Sequence, residues 1–414
     1  MTHKKNIWII NQYGSTPDTG IGGRHFYLAQ ELIKSGYSVT LITASYHHLL
    51  KAPIKVSSDY TTVQNSGVTN VLIKMPYYEH AHSKKRIINW FNFANKLRGL
   101  KYYLTDKPDA ILYTSPSLVG YLGAESLAKY YKVPLSFEVR DIWPLTLCQL
   151  GGFSTKHPFI KLLQYIEDRA YKNADHLISN LKYLDRHIQS RGFSSNNFHW
   201  IPNGYSQNEV DQKTPLADLV KQQLPRDRFI VGYTGTLGVA NCLDTLIEAA
   251  QQLNDQPGIA FVIVGQGKEK NQLQAKVKQL GINNITFIDA IPKIQIQSML
   301  AEFNVCFIGL TKDELFHYGV SPNKLFDYFC SAKPIIYAID SGDYRPVSDA
   351  KAGIQIEPES VSELVNAVKT LYNMDKLELH KMGRNGQVIA KTHYEYQSLA
   401  KKLEGIIFTH RHSK

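Results

Sequence analysis

The chain has 414 residues, 43% hydrophobic and 20% charged, too long for one ordinary core and too apolar for a disordered or fibrous polypeptide. Its net charge of +11 resides wholly in the first half: residues 1–203 carry 24 Lys and Arg against 13 Asp and Glu, and the rest of the chain is balanced at 23 of each. A basic half suits an anionic partner, such as lipid headgroups, nucleic acid or a phosphorylated substrate, with incidental surface composition as the alternative.

In chain order, the first apolar run is 6–13. Its Ile7-Trp8-Ile9-Ile10 core is too short for a secretory leader, and no run nears the 18 or so residues of a spanning helix. Strand-like runs follow at 38–44, 70–75, 110–114, 135–139, 176–179 and 198–201, with helix-like stretches at 24–34, 87–104, 118–131 and 158–172. Short Ile, Val, Leu and Tyr runs alternating with amphipathic stretches predict a parallel α/β sheet. A polar segment from Asn203 to about Arg228, with Asn203-Gly204, Pro215 and Pro225, reads as a linker. The alternation then resumes, with strands at 229–233, 260–264, 285–288, 305–308 and 334–338 and helices at 242–253, 268–280, 294–303, 324–330 and 360–372. The fold expected is two doubly wound parallel-sheet domains facing a cleft, with ligands beyond the carboxyl ends of the strands. Cys148, Cys242, Cys306 and Cys330 are scattered with no CxxC pair; Cys242, Cys306 and Cys330 lie in or beside apolar stretches and read as buried thiols, which fits a reducing, cytoplasmic compartment.

Six stretches carry chemistry. Gly20-Ile21-Gly22-Gly23-Arg24 opens a helix, where backbone N–H groups and Arg24 suit an anion, though the spacing is not that of a dinucleotide fingerprint and an ordinary glycine turn remains the alternative. Glu138, Arg140 and Asp141 follow a buried strand, as ligand-facing charges or a structural ion-pair cluster. Gly232 to Gly238, including Gly235 and Thr236, leaves room for a diphosphate beside a helix. Gly265-Gln266-Gly267-Lys268 offers a phosphate-reaching lysine or a solvated one. In the 318–328 stretch, Ser321 or Asn323 can cap a helix opened near Pro322; Lys324 and the helix N–H groups would meet a diphosphate, and Asp327 a ribose, unless Lys324 and Asp327 form a surface ion pair. Finally, Lys84-Lys85-Arg86-Ile87-Ile88-Asn89-Trp90-Phe91-Asn92-Phe93 mixes basic and aromatic residues as a bilayer-interface helix does, or buries its aromatic stripe as core; nucleic acid is disfavoured because no recognition motif accompanies it.

These stretches resemble glycosyltransferase family 4, and within it the O-antigen and capsule transferases of the WbuB type, linked to N-acetyl-L-fucosamine transfer. The resemblance spans nearly the whole chain. It rests on Asn11-Gln12-Tyr13 with the 20–25 loop, residues 138–144, Ala174-Asp175 leading to Ile178-Ser179, Ile201-Pro202-Asn203-Gly204, Tyr233-Thr234-Gly235-Thr236, and residues 321–328 followed by Lys333-Pro334-Ile335-Ile336.

The resemblance implies a GT-B fold and a hexosyltransferase that retains anomeric configuration, with no cofactor and no metal. Residues 1–203 would bind a lipid-linked saccharide acceptor, residues 204–392 a nucleotide-sugar donor of UDP type, and 393–414 would form a C-terminal helix open to packing back on the first domain. The expected site comprises Asp141, Glu138 and Lys324 as catalytic residues. Gly235, Thr236, Gly265, Lys268, Ser321, Pro322, Asn323, Lys324, Leu325 and Asp327 would hold the donor, and Gly22, Gly23, Arg24 and Arg140 the acceptor or diphosphate. An anionic membrane surface on the cytoplasmic face is the expected location. The family's acidic pair is altered: Asp327 takes the second place and Gly319 the first. Its Arg and Lys fall on Thr236 and Asn241, which shifts diphosphate neutralisation to Lys268, Lys324 or Arg24. A GT-B isomerase of the UDP-sugar 2-epimerase kind and a non-catalytic nucleotide-sugar-binding protein are the competing readings.

Overall fold

The computed structural model describes residues 4–20, 23–79 and 83–410. The chain forms two compact units: residues 1–202 with 396–414, and residues 203–395.

In the first unit, β1 (Asn6–Ile10), β2 (Ser38–Ala44), β3 (Tyr60–Asn65), β4 (Val68–Ile73), β5 (Ala110–Thr114), β6 (Leu135–Val139), β7 (His176–Ser179) and β8 (Phe198–Trp200) make one sheet in the order β3-β4-β2-β1-β5-β6-β7-β8. Pairing is parallel except for β3, which runs antiparallel to β4. The β3–β4 hairpin was not anticipated. Its strand Tyr60–Asn65 is too polar to read as buried, and the turn signal is only Ser66-Gly67, both at positive φ (47° and 81°). The predicted 87–104 helix is two helices, Lys84–Leu97 and Leu100–Tyr103, broken at Arg98-Gly99.

The helix Tyr396–Ile407 belongs to this first unit. Tyr396 stacks on Tyr27 of the helix Arg24–Lys34 at 5.1 Å, Tyr37 donates to Glu404 at 2.8 Å, and Leu399, Leu403 and Ile407 are buried with Leu28, Leu32 and Leu41. Residues at opposite ends of the sequence thus share one core, mainly through excluded apolar area.

In the second unit, β9 (Phe229–Thr234), β10 (Ile259–Val264), β11 (Ile285–Ile288), β12 (Val305–Gly309), β13 (Ile335–Ala338) and β14 (Gly353–Ile356) form an all-parallel sheet in the order β11-β10-β9-β12-β13-β14. Its strands are apolar because helices such as Leu243–Gln252 and Val361–Tyr372 cover them. The short β14 and the helix Lys376–Ile389 were not predicted. The latter is largely exposed, with Gly383 and Gly386 buried, so it lacks a strong apolar stripe.

Strand order reverses between β1 and β5 in one unit and between β9 and β12 in the other. At each reversal the crossing helices diverge to opposite faces, opening a crevice at the strands' carboxyl ends. The loops after β1, β6, β9, β10 and β12 hold the residues with chemistry in them.

Candidate functional site

In the first unit a buried cluster forms around Glu138, at the end of β6. Its Oε1 accepts from Arg24 Nε at 2.8 Å, and its Oε2 from Thr114 Oγ1 at 2.8 Å and from His25 Nε2 at 2.5 Å. Asn11 Nδ2 faces His25 Nδ1 at 2.9 Å. This arrangement assigns the proton of a neutral imidazole to Nε2. Arg24 also donates to the carbonyls of Ile201, at 2.8 Å, and Pro202. Burial alone would raise the Glu138 pKa, but Arg24 and His25 outweigh it and hold the carboxyl well below the ordinary range. Burial lowers His25, against the pull of Glu138.

Two site expectations change here. Glu138 is 1% exposed with both oxygens engaged, so it is a positioning anchor and not a reacting carboxylate. Arg24 is 4% exposed and spends its guanidinium on Glu138 and two carbonyls, so it is not a free anion receptor. Of the glycines before it, Gly23 precedes the first turn of the helix without a side-chain cap, and Gly22 lies outside the described residues.

Of the residues that follow Glu138, Arg140 is half-buried and Asp141 reaches solvent. The Arg140 backbone N–H donates to Ser115 Oγ at 2.8 Å, while its Nε is buried with no hydrogen-bond partner among the described residues. Asp141 is exposed. Desolvation raises its pKa against the opposing charge of Arg140, and water at the exposed carboxyl screens part of that penalty. Next to it, Trp143 packs edge-on against Trp90 at 5.4 Å, and Tyr13 OH accepts from Trp90 Nε1 at 2.6 Å and Arg86 Nε at 3.0 Å. The Arg86 guanidinium lies over the Tyr13, Trp90 and Trp143 rings. The sequence offered only the WP and NQY stretches as a hint of this meeting.

The same contacts revise the basic–aromatic helix. Trp90 and Phe93 are 3% and 0% exposed and belong to the core. The outward stripe at helical spacing is Lys84, Ile88, Phe91, Asn95 and Arg98, with Lys85 beside it.

In the second unit the loops after β9 and β10 lock together. Gly235 N–H donates to Val264 O at 2.9 Å and Leu237 N–H to Gln266 O at 2.9 Å. A Cβ on Gly265 would lie 1.8 Å from Gly235 O, at a φ of +155°, so that glycine is required by backbone packing whatever binds nearby. Thr236 is exposed, and its carbonyl accepts from Tyr233 OH at 2.7 Å.

Lys324 reaches over this loop. Its Nζ donates to Tyr233 OH and Asn241 Oδ1, each at 2.7 Å, and a Cβ on Gly235 would meet the ammonium at 3.1 Å. Among the described residues it has no carboxylate partner. Burial lowers its pKa to about 7. Its helix, Asn323–Cys330, starts after Pro322 with no side-chain cap. The capping expected of Ser321 or Asn323 is therefore absent. Ser321 instead binds Asn203, through Oγ at 3.0 Å and its carbonyl at 2.8 Å. Asn323 is exposed, and Leu325 is fully buried, so only its backbone could face a ligand.

Asp327 does not pair with Lys324. Both its oxygens accept from Lys293, at 2.6 and 2.7 Å, so a ribose hydroxyl would have to share them. Lys268 is exposed; it is Lys270 that pairs with Asp289. Gly319 sits at φ +100°, a conformation that disfavours a carboxylate-bearing residue there. Among the described residues no group of three or more His, Cys, Asp or Glu could hold a metal ion.

Two doubly wound units, each with its polar loops at the strand ends, are the GT-B architecture, and solved structures share this fold. Sucrose-phosphate synthase from Thermosynechococcus elongatus superposes with a TM-score of 0.74 at 16% identity, covering 97% of this chain and 98% of that one. Alr3699/HepE from Anabaena, in complex with UDP and glucose, gives 0.65 at 16% identity over 97% and 99%. WaaG, a glycosyltransferase involved in lipopolysaccharide biosynthesis, gives 0.65 at 16% over 97% and 99%. The sequence pattern of Glycosyltransferase Family 4 matches residues 20–208 and that of Glycosyl transferases group 1 residues 217–388. The chain belongs to glycosyltransferase family 4. It is also 26% identical over 368 residues to a protein named for colanic acid biosynthesis, the glycosyl transferase WcaI of Escherichia coli (strain K12), covering 85% of this chain and 88% of that protein. The protein is a transferase, which sets aside the isomerase and non-catalytic readings.

Proposed function

We propose that this enzyme moves an N-acetylated amino sugar such as N-acetylfucosamine from a UDP-linked donor to a polyprenyl-diphosphate-linked saccharide, with retention at the anomeric carbon, in O-antigen or capsule synthesis. The observation that carries the donor half is Lys324: a part-buried cation without a carboxylate partner among the described residues, over the Gly235 loop and on the first turn of an uncapped helix. A diphosphate is the complement of that arrangement. The UDP-bound relative and the relative named for colanic acid support the nucleotide and the polysaccharide setting.

Leaving-group charge would be met by Lys324, the helix N–H groups and Lys268, without a metal. No carboxylate is marked as a covalent nucleophile, so the leaving phosphate oxygen would take the acceptor's proton on the same face. Asp141, exposed beside Arg140, would orient the acceptor hydroxyl. The basic first unit would rest on the inner face of the cytoplasmic membrane.

The test is incubation of UDP-linked sugars with lipid-linked saccharides, followed by NMR of the product. Transfer with retention, unaffected by chelator, is expected; Asp141→Asn should lower turnover and leave UDP affinity unchanged. An inverted product overturns the retaining mechanism. A trapped glycosyl-enzyme overturns same-face displacement, and exclusive use of a soluble acceptor overturns the lipid-linked one.

A further inference from the structure

A cavity of about 240 Å³ lies in the first unit, away from the Glu138 cluster. Its floor is one face of the sheet edge: Leu41 and Thr43 of β2, Asn70 and Leu72 of β4 and Val63 of β3, neighbours by strand register. Leu50 and Ile54 wall it. The loop after β1 is tied across it: Asn65 Nδ2 donates to Asp18 Oδ2 at 2.6 Å, and the N–H groups of Lys51 and Ala52 donate to Thr19 O at 2.9 and 3.1 Å.

Among the polar groups on this floor, the Asn70 amide is buried and unspent. Asn70 is 2% exposed, its Nδ2 is buried without a partner, and its side chain forms no hydrogen bond among the described residues. A stranded buried amide is costly enough that native proteins rarely keep one. Water alone is a poor complement, because Leu41, Leu50, Ile54, Val63 and Leu72 make up much of the lining, with Thr43, Ser45 and Gln64 among its polar members. A hydrocarbon chain would suit the walls and leave the amide stranded. A ring bearing only hydroxyls would pair with the amide and waste the walls. A planar acylamino group answers both: its C=O and N–H pair with the Asn70 amide, and its methyl meets Leu41 and Leu72.

We propose that this cavity binds the N-acyl group of a saccharide. That the saccharide is part of the acceptor rests on the transferase reading above; the binding itself does not. The test is ligand-observed NMR, without donor, using methyl glycosides of N-acetylglucosamine and N-acetylgalactosamine against those of glucose and galactose. At least one acetylated glycoside should bind and the parent sugars should not. Asn70→Leu, which removes the amide, and Val63→Phe, which fills the space from the edge strand, should each weaken binding about tenfold or more, with melting temperature and UDP affinity unchanged. Equal binding of acetylated and parent glycosides, no binding of either acetylated one, or unchanged binding in both variants overturns the proposal. Sugar transfer that persists without cavity binding sinks this inference alone; cavity binding without sugar transfer sinks the transferase reading of the ligand.

Discussion

Lys324 and Glu138 show how differently two charged residues are used. Lys324 is held by neutral partners and depressed to about 7, so the free enzyme carries it partly deprotonated near neutrality. A bound diphosphate would favour the charged form, and binding would take up a proton. UDP affinity should therefore fall as pH rises above about 7, and Lys324→Ala, losing about 1.5–3 kcal/mol of charge-assisted bonding, should remove most of that dependence; calorimetry in buffers of different ionisation heat reads both. Glu138 is fully paired. Its depressed pKa means that its contribution to stability is present above the ordinary value of 4.5 and is lost as pH falls below it. Glu138→Gln should leave Arg24 buried without its counter-charge, destabilise the protein by about 3–5 kcal/mol and flatten the acid limb of the stability profile, seen in urea melts from pH 3 to 7. The Lys324 position was legible because a helix start and a glycine loop are local. Lys293 as the partner of Asp327, and Arg24 as the partner of Glu138, lie 34 and 114 residues away in sequence, where no periodicity links them.

At the scale of elements, the helix Lys84–Leu97 divides its own composition. Core packing takes Trp90 and Phe93, and what remains outside is Ile88 and Phe91, 57% and 44% exposed, next to Lys84 and Lys85. No helix among the described residues is long and apolar enough to cross a membrane. This stripe is suited to lie on one, with each basic side chain contributing about 1 kcal/mol near an anionic surface. Co-sedimentation should show binding to anionic vesicles that weakens with salt. It should drop when Lys84 and Lys85 are replaced by Gln, and drop further when Ile88 and Phe91 become Ser. Equal binding to neutral and anionic vesicles would rule out the electrostatic part. The sequence revealed that this helix is amphipathic, but Trp and Phe favour a core and a bilayer interface alike, and only packing against Trp143 and Phe159 separates them.

At the scale of the molecule, the chain leaves its first unit at Pro202 and returns to it at Tyr396. The last helix supplies buried Leu399 and Leu403 to a core whose other members lie before residue 202. Leu399→Ala should cost about 2–5 kcal/mol, and ending the chain at Glu395 should destabilise the first unit further by exposing the helix Arg24–Lys34; hydrogen exchange of that helix reports both. The sequence by itself determined the α/β class, the two-unit division, the glycine loops at the strand ends and the family, because each is written in local periodicity or short contiguous stretches. Only the tertiary structure decided that Arg24 and Glu138 are spent on each other, that Lys324 has no carboxylate partner among the described residues while Asp327 is taken by Lys293, and that Asn70 lines a cavity. Those outcomes depend on which side chains meet across strands and loops far apart in sequence, and burial and charge pairing, not residue type, fix what each is free to do.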